Sequence, residues 1–203
     1  MKRIIAIILS TVILLGTLAG CGRTADASLN SVDWHDQQVV MHGVHLKNVG
    51  KMTAADLLAL GFEKDVFAMA LTAPTVESGE SANFSVRATD GSTETYTIKV
   101  VNTKDTETAI ENCIIKRIYV LEPEPTDKMI IDATDVTLEN GVGLGLSSEE
   151  VRQKMGDPDE EKIKSGSEDF YKTWTYHAND EGGDIVMMFK ESTDKMRAMI
   201  ITY

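Results

Sequence analysis

The sequence predicts an α+β fold of two tandem repeats, each a short helix packed on an antiparallel β-meander. Three observations predict it. Two helix starts carry the same capping chemistry, at Thr53 and at Ser147. Each is followed by three apolar or β-branched runs at strand spacing. Turn residues rather than helical linkers separate those runs.

The helices come first. In Met52-Thr53-Ala54-Ala55-Asp56-Leu57 the Thr53 hydroxyl is placed to accept an early helix N–H, and Asp56 to reach back to the Thr53 N–H. Ser147 and Glu150 form the fuller version of this capping box in Leu146-Ser147-Ser148-Glu149-Glu150-Val151. Met52 with Leu57, and Leu146 with Val151, have the spacing of a hydrophobic staple. Gly61 and Gly156 suit left-handed C-terminal ends. A short strand leads into each helix.

The strands follow. After the first helix come Ala82–Ala88, Thr95–Asn102 and Cys113–Val120, with Asp90-Gly91 turning the first pair. After the second come Lys172–His177, Asp184–Phe189 and Met196–Tyr203, with a turn region at 179–183. Pro123 and Pro125, set among acids, neither continue a strand nor start a packed element. They mark 123–128 as a linker between a first repeat at 32–122 and a second at 129–203. Units of about 80 residues are small, so the two are expected to share buried surface.

The N-terminus predicts export. Lys2 and Arg3 precede an apolar run, Ile4–Leu15, of 12 residues. Crossing a bilayer takes about 20, so the run fits the apolar part of a signal peptide spanning residues 1–20. It ends in Leu18-Ala19-Gly20-Cys21, which resembles the lipobox of bacterial lipoproteins. The resemblance implies that Cys21 is acylated with palmitate-type chains and becomes the first residue. Residues 21–31, small and polar, then form a tether, and the chain sits on the extracytoplasmic face of the cell membrane.

A formal net charge of −12 argues against nucleic-acid binding, which needs clustered Lys and Arg. It also argues against lying flat on anionic lipid, and its plain reading is solubility. With Cys21 acylated, Cys113 is left without a disulfide partner and is expected to be buried as a small apolar residue.

Gly145-Leu146-Ser147, Val151 and Met155-Gly156-Asp157-Pro158, followed by strands holding Trp174 and Tyr176, resemble a known module. It is the helix-plus-meander unit of the small outer-membrane assembly lipoproteins and of the β-lactamase inhibitor protein, where it occurs twice. The resemblance is strong over about 70 residues of the second repeat and loose over the first, which lacks a proline after Gly61. It implies the fold and non-catalytic binding of a protein partner of unknown identity. It carries over no binding residue, because the matching positions are those that build the fold.

Candidate sites are few. His35, His42 and His45 fall within 11 residues and are weak metal candidates, with Asp33, Asp36 or His177 completing a set; His42 and His45 converge only if Gly43 turns the chain. The oxygen-rich stretch Asn179–Asp184 lacks the ligand spacing of a calcium loop and reads as a solvated turn. Asp157-Asp159-Glu160-Glu161 reads as an exposed acidic run after the helix. Neither Gly-x-Ser-x-Gly nor His-Glu-x-x-His occurs, and no enzyme and no cofactor are expected. Trp174, Tyr176 and Lys172 share one strand face and are the best candidates for a partner surface. The readings kept open are a protein-binding lipoprotein, a metal- or small-ligand-binding lipoprotein using His35–His45, and an envelope enzyme.

Gly141-Val142-Gly143-Leu144-Gly145 places glycines on alternate positions before a helix. A dinucleotide loop needs Gly-x-Gly-x-x-Gly inside a parallel strand–loop–helix unit. This stretch has neither the spacing nor that context, so it reads as a corner.

Overall fold

The structure, a computed structural model, describes Trp34 and residues 37–122, 131–132, 134–164, 171–178, 182–190 and 192–203. The expected signal peptide (1–20), Cys21, the expected tether, Asp33, His35, Asp36, the expected linker at 123–128 and residues 179–181 lie outside the described residues. No described helix is long and apolar enough to cross a membrane.

The fold is α+β and rich in antiparallel sheet, with two α-helices among the described residues. A hairpin of β1 (Val39–Met41) and β2 (Val44–Leu46) leads to α1 (Ala54–Ala59). There follow β3 (Phe62–Lys64), β4 (Thr75–Val76), β5 (Ser81–Ala88), β6 (Glu94–Val101), β7 (Thr108–Ala109) and β8 (Ile114–Leu121). Next are β9 (Ile131–Asp132), β10 (Val136–Leu138) and α2 (Ser148–Met155). The chain finishes with β11 (Glu160–Lys164), β12 (Tyr171–His177), β13 (Asp184–Lys190) and β14 (Lys195–Thr202).

Both helices start as their sequences dictate. The Asp56 N–H donates to Thr53 Oγ1 at 3.2 Å and the Thr53 N–H donates back to Asp56 at 2.8 Å. The Glu150 N–H donates to Ser147 Oγ at 3.3 Å and the Ser147 N–H returns to Glu150 at 2.7 Å. Each box satisfies two backbone donors that a helix start leaves unmet, for about 1 kcal/mol per cap. The first box is as complete as the second, although aspartate is the shorter acid. Ala54 and Leu57 of α1, and Val151 and Met155 of α2, are buried. Gly61 follows α1 with φ 101°, and Gly156 caps α2 with φ 81°.

Nine strands form one sheet. Along it run β11, β12, β13, β14, β8, β6, β5 and β3, each antiparallel to its neighbour, and β9 adds to β6 in parallel. The centre is the pair β8–β14, in register at Ile118 with Ile201, Tyr119 with Ile200 and Val120 with Met199. Residues 31–203 cluster as one unit, in which the two meanders share this seam of backbone hydrogen bonds. One extra strand follows each helix, β3 after α1 and β11 after α2, and each forms an edge of the sheet. Asp157, Asp159, Glu160 and Glu161 are exposed as expected, and the two glutamates are the start of edge strand β11. Charged residues suit that position, since an edge strand must not recruit further strands.

Before each helix, a small sheet of β10, β1 and β2 lies apart from the large one. His42 and Gly43 turn β1 into β2 with φ of 50° and 72°, the all-positive pattern of a type I′ turn. The glycine stretch turns a corner as well. Gly141, at φ 77°, follows β10 and sends its N–H to the Leu138 carbonyl at 2.8 Å. Gly143 bridges Thr137, and a Cβ there would stand 2.7 Å from Thr137 Cγ2 and 3.1 Å from the Val136 carbonyl oxygen.

The core lies between the helices and one face of the large sheet. Phe84, Ile98, Ile118, Met199, Met187 and Trp174, one from each of six adjacent strands, are fully buried on it. Cys113 is buried as expected, just ahead of β8 rather than within it, and burial pushes its thiol pKa up.

Candidate functional site

Trp174 and Tyr176 do not form a surface. They are 1 % and 5 % exposed. Trp174 packs edge-on against Phe189 at 5.0 Å between ring centres, with the Arg152 guanidinium 4.8 Å and Lys172 Nζ 5.3 Å from its own centre. The Tyr176 hydroxyl donates to the Gly156 carbonyl at 3.1 Å. The reason is geometric: α2 lies over the face of β12 that carries both rings, so the aromatic alternation marks the helix-covered side.

Lys172 shares that face and is committed there. Its Nζ lies 2.6 Å from Asp194 and donates to Ser148 Oγ at 2.8 Å. Asp194 also accepts the Ser148 N–H at 3.1 Å. This trio ties the start of α2 to the β13–β14 turn. Its serine hydroxyl and its lysine ammonium are both directed at the same carboxylate. Ser192-Thr193-Asp194-Lys195 has Ser-x-x-Lys spacing, but it falls in that turn, with Ser192 exposed and Lys195 Nζ 3.5 Å from Glu150.

Gly43 does make the turn that convergence of His42 and His45 required, yet the two do not converge. His45 is exposed and pairs with Val40 across the hairpin. His42 is held from both sides: Nε2 lies 2.9 Å from Asp90, and Nδ1 lies 3.1 Å from Asp135 and 3.0 Å from the Tyr96 hydroxyl. Tyr96 in turn donates to Asp135 at 2.6 Å. Opposite ring nitrogens facing separate carboxylates clamp an imidazolium and do not focus on one ion. The Asp90 hydrogen bond, with help from Asp135, holds the His42 pKa above its ordinary value despite some burial. His177, with Nδ1 2.6 Å from Asp184, is raised in the same way. Among the described residues no group of three or more His, Cys, Asp or Glu is arranged to hold a metal ion.

The other face of the large sheet is organised differently. Across the strands, Thr97, Tyr119, Ile200, Val186 and Thr175 stand in one row. Leu121, Ala198, Met188 and Thr173 form the next. Lys99, Arg117, Thr202, Asp184 and His177 form a polar row beside the first. Tyr119, Ile200, Val186 and Met188 are half-buried, and Leu121 is 42 % exposed. Arg117 stacks over Tyr119, 5.7 Å from its ring centre, and donates to its hydroxyl at 3.2 Å. Asn83, Thr95, Thr97, Tyr119 and Leu121 line a hollow of about 200 Å³ at one end of the apolar rows.

Sequence reasoning passed over Tyr119 and Ile200. The signal was present in Ile118-Tyr119-Val120-Leu121, Ala198-Met199-Ile200-Ile201 and Ile185-Val186-Met187-Met188-Phe189. Those runs lack polar alternation, which in an antiparallel strand means that both faces are apolar. No protein family, no curated protein and no solved structure matches the chain.

Proposed function

We propose that the chain is a non-enzymatic lipoprotein, anchored through Cys21 on the extracytoplasmic face of the membrane, and that it binds another protein through the outer face of the nine-stranded sheet. The observation that carries this reading is the pair of apolar rows centred on Tyr119, Ile200 and Met188, bordered by threonines and a charged row. An apolar centre with a polar rim is the composition of a protein interface, and tyrosine is favoured at its core. The partner has an apolar centre of its own. The lipobox at Leu18–Cys21 supports the anchor.

We also infer that the fold is one module used twice. Matched details support it. The N-cap residues bridge equivalent strand starts, Thr53 to Ile114 and Ser147 to Lys195. The Ile115 N–H donates to the Met52 carbonyl, and the Met196 N–H to the Leu146 carbonyl, both at 2.8 Å. Strand order runs outward from the β8–β14 seam in the same sequence on both sides, and the resemblance to the doubled inhibitor module implies the same arrangement.

The test is capture from solubilised envelopes with the acylated full chain as bait. Saturable retention of one protein, lost in Leu121→Asp and Ile200→Asp variants of unchanged thermal stability, supports the reading. A bait that retains nothing saturably, or variants that retain the partner undiminished, count against it. Labelled palmitate that enters the chain but not Cys21→Ala tests the anchor separately.

A further inference from the structure

Residues 66–76 form the longest run without Asp, Glu, Lys or Arg outside the N-terminal apolar segment. The run leads from β3 through β4. It carries Val66 at 65 %, Phe67 at 66 % and Leu71 at 101 % exposure. The loop's own bonds hold these side chains outward. The Asp65 carboxylate, itself buried, accepts the N–H groups of Phe67 and Ala68, both at 3.0 Å, and the Thr95 hydroxyl at 2.5 Å. The Met69 N–H donates to the Asp65 carbonyl and the Thr72 N–H to the Met69 carbonyl, both at 2.9 Å, so the loop is a pair of linked turns. Met69 is the inward residue. Its sulfur accepts the Ser85 N–H at 3.2 Å and its side chain packs on the core. Phe67 and Leu71, two places to either side, face solvent.

The topology places this loop at one end of the large sheet. The Pro74 carbonyl accepts the Ile110 N–H at 2.9 Å, and β4 pairs with β7, which leads by a single helical turn into the start of β8. There β8 meets the last residues of β6 and β14, Ile114 with Val101 and Arg117 with Thr202. Trp34, the first described residue, packs on Tyr203 just past β14, with 5.8 Å between ring centres. The exposed loop and the entry of the chain therefore share one end of the sheet, and the β5–β6 and β13–β14 turns mark the other. Trp34 follows Cys21 by 13 residues, a stretch that reaches at most about 45 Å when fully extended. An acyl anchor at Cys21 thus tethers the chain by the end that carries the loop.

We propose that residues 66–71 insert into the headgroup boundary of the membrane and hold the sheet with this end towards the bilayer. The inference rests on the reading of Cys21 as the acylation site, because the tether supplies the local concentration that one small apolar tip needs. Contact with lipid has to be apolar here, since a chain of net charge −12 is repelled by anionic headgroups. An uncharged tip bearing phenylalanine and leucine suits the boundary between headgroups and acyl chains. Leu71 stands clear of the rest of the chain, a convex shape that penetrates a soft surface and offers no pocket to a partner's side chain. The strands then run away from the bilayer, and the outer sheet face stays open at the side.

Spin labels on the acylated full chain in phosphatidylcholine vesicles test it, placed at Ala70→Cys in the loop or at Thr93→Cys in the β5–β6 turn, both exposed positions. Acylation occupies Cys21 and burial protects Cys113, so the introduced thiol takes the label. Collisions with a water-soluble nickel chelate are expected to be at least about threefold rarer at position 70 than at 93, and collisions with oxygen more frequent. Phe67→Ser with Leu71→Ser, both too exposed to change Tm, abolishes the difference, whereas Leu60→Ser, an exposed apolar position at the far end, preserves it. Incorporation of labelled palmitate, lost in Cys21→Ala, reads the anchor on its own. An acylated chain whose two labels are equally open to the chelate overturns the loop contact and leaves the anchor standing, and so does a difference that survives the double variant. A chain that takes up no palmitate overturns both. Shielding at position 70 that arises only in whole envelope membranes assigns the loop to a protein partner and overturns the proposal.

Discussion

Replacing Trp174 separates a core residue from a binding residue by magnitude alone. At 1 % exposure nearly all of its side-chain area leaves water on folding. An aromatic side chain buries roughly 150–250 Å², and at about 25 cal/mol per Å² that is about 4–6 kcal/mol. Truncating a buried tryptophan to alanine costs about 3–5 kcal/mol in practice. The Arg152 guanidinium over the ring adds about 0.5–1 kcal/mol. In a domain of this size each kcal/mol shifts Tm by about 2–4 °C, so Trp174→Ala is expected to lower Tm by about 6–20 °C. Trp174→Phe is expected to cost far less. The indole Nε1–H is buried with no hydrogen-bond acceptor among the described residues, so phenylalanine removes a desolvated donor along with some area. Guanidinium titration with an unchanged m-value, alongside calorimetry, measures both. A Trp174→Ala loss below about 1 kcal/mol, the scale of a surface substitution, would refute the burial argument.

Two further outcomes follow from the geometry. His42 has a raised folded pKa, so its contribution is complete below the ordinary histidine value near 6.5 and is lost as pH rises through the folded value. His42→Gln should flatten the decline in stability on the alkaline side of pH 6.5, read from denaturant midpoints against pH with His177→Gln as the comparison, and an unchanged profile would contradict the clamp formed by Asp90 and Asp135. Gly143→Ala places a Cβ 3.1 Å from the Val136 carbonyl, so it should destabilise by about 1–3 kcal/mol, whereas Gly79→Ala, with open space around it, carries only the strain of its positive φ; equal midpoints for the two would show that close approach is not what requires glycine at 143.

Helix starts and strand spans were legible because their causes are local. Thr53 with Asp56 and Ser147 with Glu150 close hydrogen bonds within one turn, and the six long strands fall within a residue or so of their sequence runs. The faces were not legible to the same degree. Alternation at Trp174 and Tyr176 shows that the two rings share a face, but which face α2 covers is decided by tertiary packing. The seam was hidden for a different reason. Nothing near Ile118 or Ile201 in sequence announces that they pair, and the uninterrupted apolar runs were the one available hint. The surroundings of His42 were hidden because a type I′ turn fixes where it points, and Asp90 and Asp135 reach it from distant loops, while His35 lies outside the described residues.

The β8–β14 seam also sets an order of events for the growing chain. Leu121 must wait for Ala198, about 77 residues later, before its strand gains a partner on that side. During that interval β8 offers an unpaired edge whose neighbouring side chains, Ile115, Ile118 and Val120, are apolar. Such an edge is a template for pairing with another molecule, and contacts so distant in sequence form late. Anything that shields β8 until β14 arrives therefore protects the chain from this pairing. Slower synthesis between residues 121 and 198 would lengthen the window for aggregation.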